Sequence, residues 1–353
     1  MVKYKKVLGN FLLLIGTVLI FFLLSEGVTR LVMPNSVKIR LMHRPDEKLG
    51  FRLVPNYKMR YKTSEFDTSI KINSEGLRDY EYQKDKDSTT FRILVLGDSF
   101  SFGFGVNIGE SYPKLLELML NNKVSGRVKK YEVINAGVDG YGTGQEYIYL
   151  EELGNRYKPD LVIVGLYSND VQDAMLGIPA AFTKTRVKNH FYFLSYLRGL
   201  QILLGRTIKE DIRSGILQVY QDTYPPRFED ALQKTKEYLI KIRDFSHSTG
   251  AETLMLIIPL TFEIDRSNWE KKGLGKLCGE DFFDKNMSKF SDIFTGFGKK
   301  EDIPTLPLLP IFRNSKVRPL YFTRDPHWTK EGHRLAAESI YNFLIEKRLI
   351  HKE

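Results

Sequence analysis

FRILVLGDSFSFGFG, residues 91–105, couples a short apolar run to an abrupt Gly-Asp-Ser stop. Phe91, Ile93, Leu94, Val95 and Leu96 suit a strand buried on both faces of a parallel sheet. Ser99 then falls just past the strand's carboxyl end, the edge at which open α/β sheets place their ligands. A helix starting nearby would aim backbone N–H groups at any negative charge that develops there. On this stretch alone, a phosphate-cradling glycine loop or an ordinary strand-to-helix turn fits as well as a reactive serine. The glycines match neither GxxxxGK[ST] nor a clean GxGxxG.

Downstream, strand and helix patterns alternate. Ser111 to Leu120 predicts a helix with Pro113 near its first turn and a buried face from Leu115, Leu116, Leu118, Met119 and Leu120. A strand begins at Tyr131, Thr143 to Tyr157 suits a second helix, and Pro159 precedes a strand from Leu161. This βαβαβ order calls for a parallel sheet with right-handed crossovers, a flavodoxin-like three-layer α/β/α arrangement. It brings Ser99, Gly140 and Asn169 to one edge, because each follows a strand's carboxyl end.

Residues 171–226 interrupt that order with an insertion rich in aromatic and apolar side chains, among them Phe182, Phe191, Tyr192, Phe193 and Tyr196. Directly after Asn169, it is placed to wall or cover a cleft, and a helical pair packed as ordinary core fits equally. Arg227 to Ser248 predicts a long amphipathic helix, Glu252 to Pro259 a fourth buried strand, and Leu306 to Phe312 a last short one. Lys330 to Leu349 carries Leu335, Ala336, Ile340, Phe343 and Leu344 at helical spacing.

GDSFSFG resembles the first block of the GDSL-type (SGNH) hydrolases, and three further blocks of that family follow in order. YEVINAGVDGYGTG, residues 131–144, is similar to the second, with Gly140 where the family's oxyanion-hole glycine falls. LVIVGLYSND, residues 161–170, is similar to the third, and Asn169 matches the side-chain oxyanion donor, although Tyr167 stands where a glycine is usual. DPHWTKEGH, residues 325–333, resembles the block that supplies the triad's aspartate and histidine. Asp325 and His327 lie two apart rather than three, a spacing more like the alginate O-acetyltransferase branch. The resemblance implies the SGNH hydrolase fold over residues 91–350, with Ser99, Asp325 and His327 as a catalytic triad. Ser99, Gly140 and Asn169 would supply the oxyanion hole.

The residues themselves are consistent with that chemistry. A serine hydroxyl needs a base to remove its proton, and histidine is the side chain that titrates near neutrality. Of six histidines, only His327 has an acid two residues earlier in a Pro-containing loop, where alternate residues of an extended segment share a face. Ser101 is the close rival to Ser99. His333 reads as a helix-packing residue, and Asp98 and Asp170 as carboxylates bonding across the turns that carry the donors. Asp325, His327 and His333 as a metal set is the remaining alternative, but their spacing matches no familiar zinc pattern. No cofactor or metal is expected.

The chain's start differs from the rest. Val7 to Leu24 is nearly uninterrupted apolar sequence behind Lys3, Lys5 and Lys6, long enough to cross a bilayer's hydrocarbon core. Ser25-Glu26-Gly27 makes a poor cleavage site, so an uncleaved anchor within residues 1–35 is the expectation and a signal peptide the alternative. The lysines put the amino end in the cytoplasm and the remainder outside. Residues 36–90 read as a β-rich lead-in without identifiable chemistry, ending in a solvated linker over Lys84 to Thr90. The net charge of +10 is partly gathered at Arg30, Lys38, Arg40, Arg44, Lys48, Arg52, Lys58, Arg60 and Lys62. That stretch could rest on anionic lipid or acidic polymer, or be a solvated face. No zinc-finger, RNP or basic-helix pattern points to nucleic acid, and a single cysteine excludes an intrachain disulfide. The resulting expectation is a membrane-held ester hydrolase acting on an acylated small molecule, glycan or lipid. An O-acyltransferase or a catalytically silent binding module on the same fold are its alternatives.

Overall fold

The computed structural model describes residues 2–32, 39–122, 128–176, 193, 218–264 and 287–350. Among the described residues nine strands form three sheets: β1 (His43–Asp46) pairs with β2 (Gly50–Leu53), β3 (Lys58–Lys62) pairs with β4 (Asp67–Lys71), and five strands form a central sheet. In that sheet β5 (Thr90–Gly97), β6 (Lys130–Asn135), β7 (Leu161–Leu166), β8 (Glu252–Ile257) and β9 (Thr305–Pro307) run parallel in the order β6-β5-β7-β8-β9. That is the flavodoxin-like order. It arises because β5 is followed by a crossover to one side and all later strands are added to the other.

Burial explains why these segments are strands. Every residue of β5 and β7 is buried, as continuous apolar runs covered on both faces require. The Tyr112–Asn121 and Lys330–Glu346 helices pack together, and the Thr143–Tyr157 and Pro226–Ser248 helices form a second pair. In the first helix Tyr112, Leu116 and Leu120 face the core, whereas Leu118, expected inside, is 58% exposed.

The last strand is shorter than expected. β9 ends at Pro307, and Leu309–Asn314 is a helix with Pro310 in its first turn. The apolar stretch from Leu306 to Phe312 therefore spans a strand, a corner and a helix, whose buried residues point into one core. The 171–226 insertion falls mostly outside the described residues. Of its interior, Phe193 donates its backbone N–H to Glu26 Oε2 at 2.9 Å and meets Phe22 edge-on at 6.2 Å.

Residues 39–90 do more than lead in. They carry β1 to β4, and several of their basic residues are neutralised on the spot: Arg52 pairs with Asp46 and Glu152, and Arg60 with Asp67. The linker is anchored too, with Lys86 bonded to Asp160 at 2.8 Å and Arg92 reaching the carbonyls of Gln83 and Lys84.

Among the described residues, one helix is long and apolar enough to cross a membrane. It covers Lys6–Thr29, with mean hydropathy 2.6 and none of its apolar window buried in protein. Leu13, Phe21, Leu23 and Leu24 are each more than 60% exposed, a surface that water does not favour and a bilayer would cover.

Candidate active site

The carboxyl edge of the sheet is shaped at Gly97. Its φ of +144° and the space around it exclude a side chain, since a Cβ there would meet Ser101 Oγ at 2.2 Å. With the bend made at Gly97, Asp98 caps the short Ser99–Phe102 helix by accepting from the Phe100 N–H at 2.9 Å. Ser99 becomes the first helical residue and stays partly exposed, whereas Ser101 is turned wholly inward. Ser101 Oγ bonds the Tyr112 hydroxyl at 2.7 Å and donates to the Leu96 carbonyl at 3.1 Å.

The loop between the Leu309–Asn314 helix and the last helix brings a histidine to that serine. His327 Nε2 lies 2.7 Å from Ser99 Oγ, and His327 Nδ1 lies 2.5 Å from Asp325 Oδ1. The same carboxylate oxygen accepts the His327 backbone N–H at 3.0 Å. A two-residue spacing suffices because the loop is closed as a narrow hairpin. Tyr321 and Trp328 form an antiparallel bridge, and Phe322 N–H donates to the His327 carbonyl at 3.0 Å. Phe104 and Phe100 back the imidazole, with centroids at 4.6 and 5.2 Å.

Asn169 begins the helix after β7. Nearby, the Asp98 carboxyl is pushed up to about 6, chiefly by burial, against the opposing effects of the Phe100 N–H, His327 and Asn169. Tyr167, standing where the resembled family has glycine, turns inward onto Phe100 at 4.7 Å and is 7% exposed. It leaves Asn169 partly open. Gly140 reaches the same edge, exposed, at φ +80°, a left-handed conformation that favours glycine. Asp170, read as structural, accepts the Tyr167 N–H at 2.8 Å within the turn.

His333 sits in the last helix, 1% exposed, stacked on Tyr112, and its Nδ1 accepts the Tyr112 N–H at 3.3 Å. Burial, with Arg78 and His327 nearby, pulls its pKa down to about 3. It is thus a neutral packing residue, as expected. Among the described residues no cluster of three His, Cys, Asp or Glu is arranged to hold a metal.

Residues 39–90, read from sequence as chemically silent, supply four supports to this edge. Glu65 accepts backbone N–H groups of Thr323, Arg324 and Asp325. Arg78, 1% exposed, donates to the carbonyls of Phe102, Gly103 and Val106 at 2.9, 2.5 and 2.6 Å, fixing the end of the Ser99 helix. Burial lowers its pKa to about 10, which leaves it charged at neutrality. Asp79 accepts the Asn135 N–H at 2.6 Å where β6 ends, and His43 Nε2 lies 2.9 Å from Asp139, beside Gly140. No local motif marks these residues. Their partners lie 24 to 260 positions away.

Residues 95–335 match the GDSL-like Lipase/Acylhydrolase family. An arylesterase of Vibrio mimicus is 36% identical over 80 residues, 22% of this chain and 38% of that one. An uncharacterized protein of Mycoplasma pneumoniae is 26% identical over 214 residues, 60% of this chain and 22% of that one. The chain thus spans less than two fifths of either relative. Among solved structures, the psychrotrophic esterase EstA of Pseudoalteromonas sp. is 18% identical, with a TM-score of 0.41 over 74% of this chain and 99% of that one.

Proposed function

The chain belongs to the GDSL-like lipase/acylhydrolase family, and from that premise we propose that it is a serine-dependent ester hydrolase acting outside the membrane on an acylated carbohydrate or lipid. The observation that carries the proposal is the continuous relay from Asp325 through His327 to Ser99, at 2.5 and 2.7 Å.

In this reading Ser99 Oγ attacks the acyl carbon while His327 Nε2 takes its proton, and Asp325 holds the Nδ1–H and stabilises the imidazolium. The carbonyl oxygen gains negative charge as the tetrahedral intermediate forms. Backbone N–H of Ser99 and Gly140 and the side-chain amide of Asn169 are the proposed donors to it, each worth about 2.7–4 kcal/mol in comparable sites. The C–O bond then breaks, His327 returns the proton to the leaving alcohol, and water repeats the sequence to release the acid. Asp98 supports this indirectly by capping the Ser99–Phe102 helix through the Phe100 N–H.

The lysines before the apolar Lys6–Thr29 helix favour an extracytoplasmic site. The Asp325-Pro326-His327 spacing favours a second reading, transfer of the acyl group to an envelope polysaccharide. A silent binding module would have no use for the relay. Hydrolysis of p-nitrophenyl acetate together with fluorophosphonate labelling of Ser99 tests the main reading, and neither occurring in folded protein would sink it. Comparing ester content of envelope glycans and lipids with and without the protein distinguishes the substrates.

A further inference from the structure

The Asp325–His327 loop is held at both ends, and only one end belongs to the segment that matches the family. At its base the Tyr321–Trp328 bridge closes the hairpin, and the Tyr321 hydroxyl donates to the Pro259 carbonyl. At its tip three consecutive backbone N–H groups converge on one carboxylate. Thr323 donates to Glu65 Oε1 at 2.7 Å, Arg324 donates to both oxygens at 3.1 Å, and Asp325 donates to Oε2 at 3.0 Å. Residues 322–327 lie in neither helix nor strand, so these N–H groups have no ladder to satisfy them. A carboxylate accepting several of them fixes the backbone with charge-assisted bonds.

Glu65 is itself held. It occupies the turn between β3 and β4, where Thr63 N–H donates to the Phe66 carbonyl at 2.9 Å and Thr63 Oγ1 accepts from Glu65 and Phe66. Tyr61 and Phe66 of the same hairpin stack at 5.5 Å. Phe66 meets Phe322 at 5.1 Å, and Tyr61 meets Phe104 at 5.5 Å, the ring that backs His327. The hairpin thus grips the catalytic loop by a carboxylate and by an aromatic cluster.

We propose that Glu65 is a positioning residue that sets Asp325, and through it His327, in register with Ser99; this rests on reading those three as the triad. A displacement of the loop by about 1 Å is enough to cost on the order of 100-fold in turnover.

The test uses the full chain in detergent, with parent, Glu65→Ala, Glu65→Gln, Asp325→Ala and the Glu65→Ala/Asp325→Ala double variant. Turnover of p-nitrophenyl acetate, fluorophosphonate labelling rate and the downfield proton resonance of His327 Nδ1–H are read for each. Glu65→Ala is expected to lower kcat roughly 10- to 100-fold with KM within about twofold, and to weaken or shift the Nδ1–H resonance. Glu65→Gln keeps one acceptor oxygen, so it should fall between Glu65→Ala and parent. Glu65→Ala should add little in the Asp325→Ala background. A merely destabilising change would lower the melting temperature but leave kcat per labelled site and the resonance unchanged. Folded Glu65→Ala with parent kcat and parent resonance overturns the proposal. Should Glu65→Ala not fold, the near-isosteric Glu65→Gln decides by the same readouts. If the parent hydrolyses no ester, the functional reading fails, while the resonance comparison still judges Glu65.

Discussion

Ser101 Oγ lies 2.7 Å from the Tyr112 hydroxyl in a site closed to solvent, so the second serine of Gly-Asp-Ser-Phe-Ser is occupied in holding the Ser99 turn. Ser101→Ala should therefore leave fluorophosphonate labelling at Ser99. It should lower stability by about 1–3 kcal/mol, because the buried Tyr112 hydroxyl loses its partner. Denaturant titration and labelling measure the two effects. Loss of labelling in folded Ser101→Ala would reverse the assignment of the two serines.

The proposed oxyanion donors can be separated by residue type. Asn169→Ala removes a side-chain donor without touching the backbone, and kcat should fall by about 10²–10³ with KM little changed. Gly140→Ala keeps the amide but forces an L residue to φ +80°, at a cost of about 1–2 kcal/mol. Its kcat loss should come with a lower melting temperature. Steady-state kinetics alongside thermal unfolding check both, and unchanged kcat in folded Asn169→Ala would remove Asn169 from the site.

The sheet and the three loops at its carboxyl edge were readable because their strands are largely apolar runs ending at a polar stop, at Gly97-Asp98-Ser99, Asn135 and Asn169. Local patterning decides such features. What escaped was set by distance in sequence: Glu65 and Asp325 are separated by 260 positions, and a Thr-Ser-Glu-Phe turn looks alike whether it faces water or a catalytic loop. Leu306 to Phe312 misled for a different reason. Buried residues continue through the corner at Leu308, so hydrophobicity alone does not mark where β9 gives way to a helix.

Glu146 and Asp173 close on a buried carboxylate group with Asp98 and Asp170. Glu146 is 1% exposed, and neither of its side-chain oxygens has a hydrogen-bond partner among the described residues. Burial first, then repulsion from Asp170, Asp98 and Asp173, raises its pKa well above the usual carboxylate range. Burial also lifts Asp173 to about 7. The folded protein therefore keeps protons that the unfolded chain releases near pH 4. This stability is fully present below that pH and is lost as pH rises through the folded values, toward about 7 and above for Asp173. Glu146→Gln should raise the melting temperature at pH 8 and flatten its decline between pH 5 and 8. Parallel curves for parent and variant would contradict this account.

None of the apolar window of the Lys6–Thr29 helix is buried among the described residues, and Ser25-Glu26-Gly27 is a weak cleavage site. The mature chain should therefore keep this helix and remain with the membrane after salt or carbonate washing. A carboxyl-terminal alkaline phosphatase fusion should be active, since the bulk of the chain is expected outside. Amino-terminal sequencing that starts shortly after Leu24, or a fusion active only in the cytoplasm, would replace the anchor with a signal peptide or reverse the topology.

The relay itself yields the strictest prediction. Ser99, His327 and Asp325 touch in sequence at 2.7 and 2.5 Å, so removing one member strands the others. Groups that work as a unit lose activity together. Ser99→Ala, His327→Ala and the double variant should each fall by a similar factor, roughly 10³ or more, rather than by factors that multiply. Asp325→Asn should lose less than Ser99→Ala. His327 N–H can still donate to the remaining oxygen, so the loop keeps its shape while the tautomer and the charge supporting the imidazolium are compromised. The comparison counts only for variants that melt near the parent temperature. Multiplicative losses would mean that His327 serves something other than Ser99. Retained esterase activity in folded Ser99→Ala would place the nucleophile elsewhere on this edge.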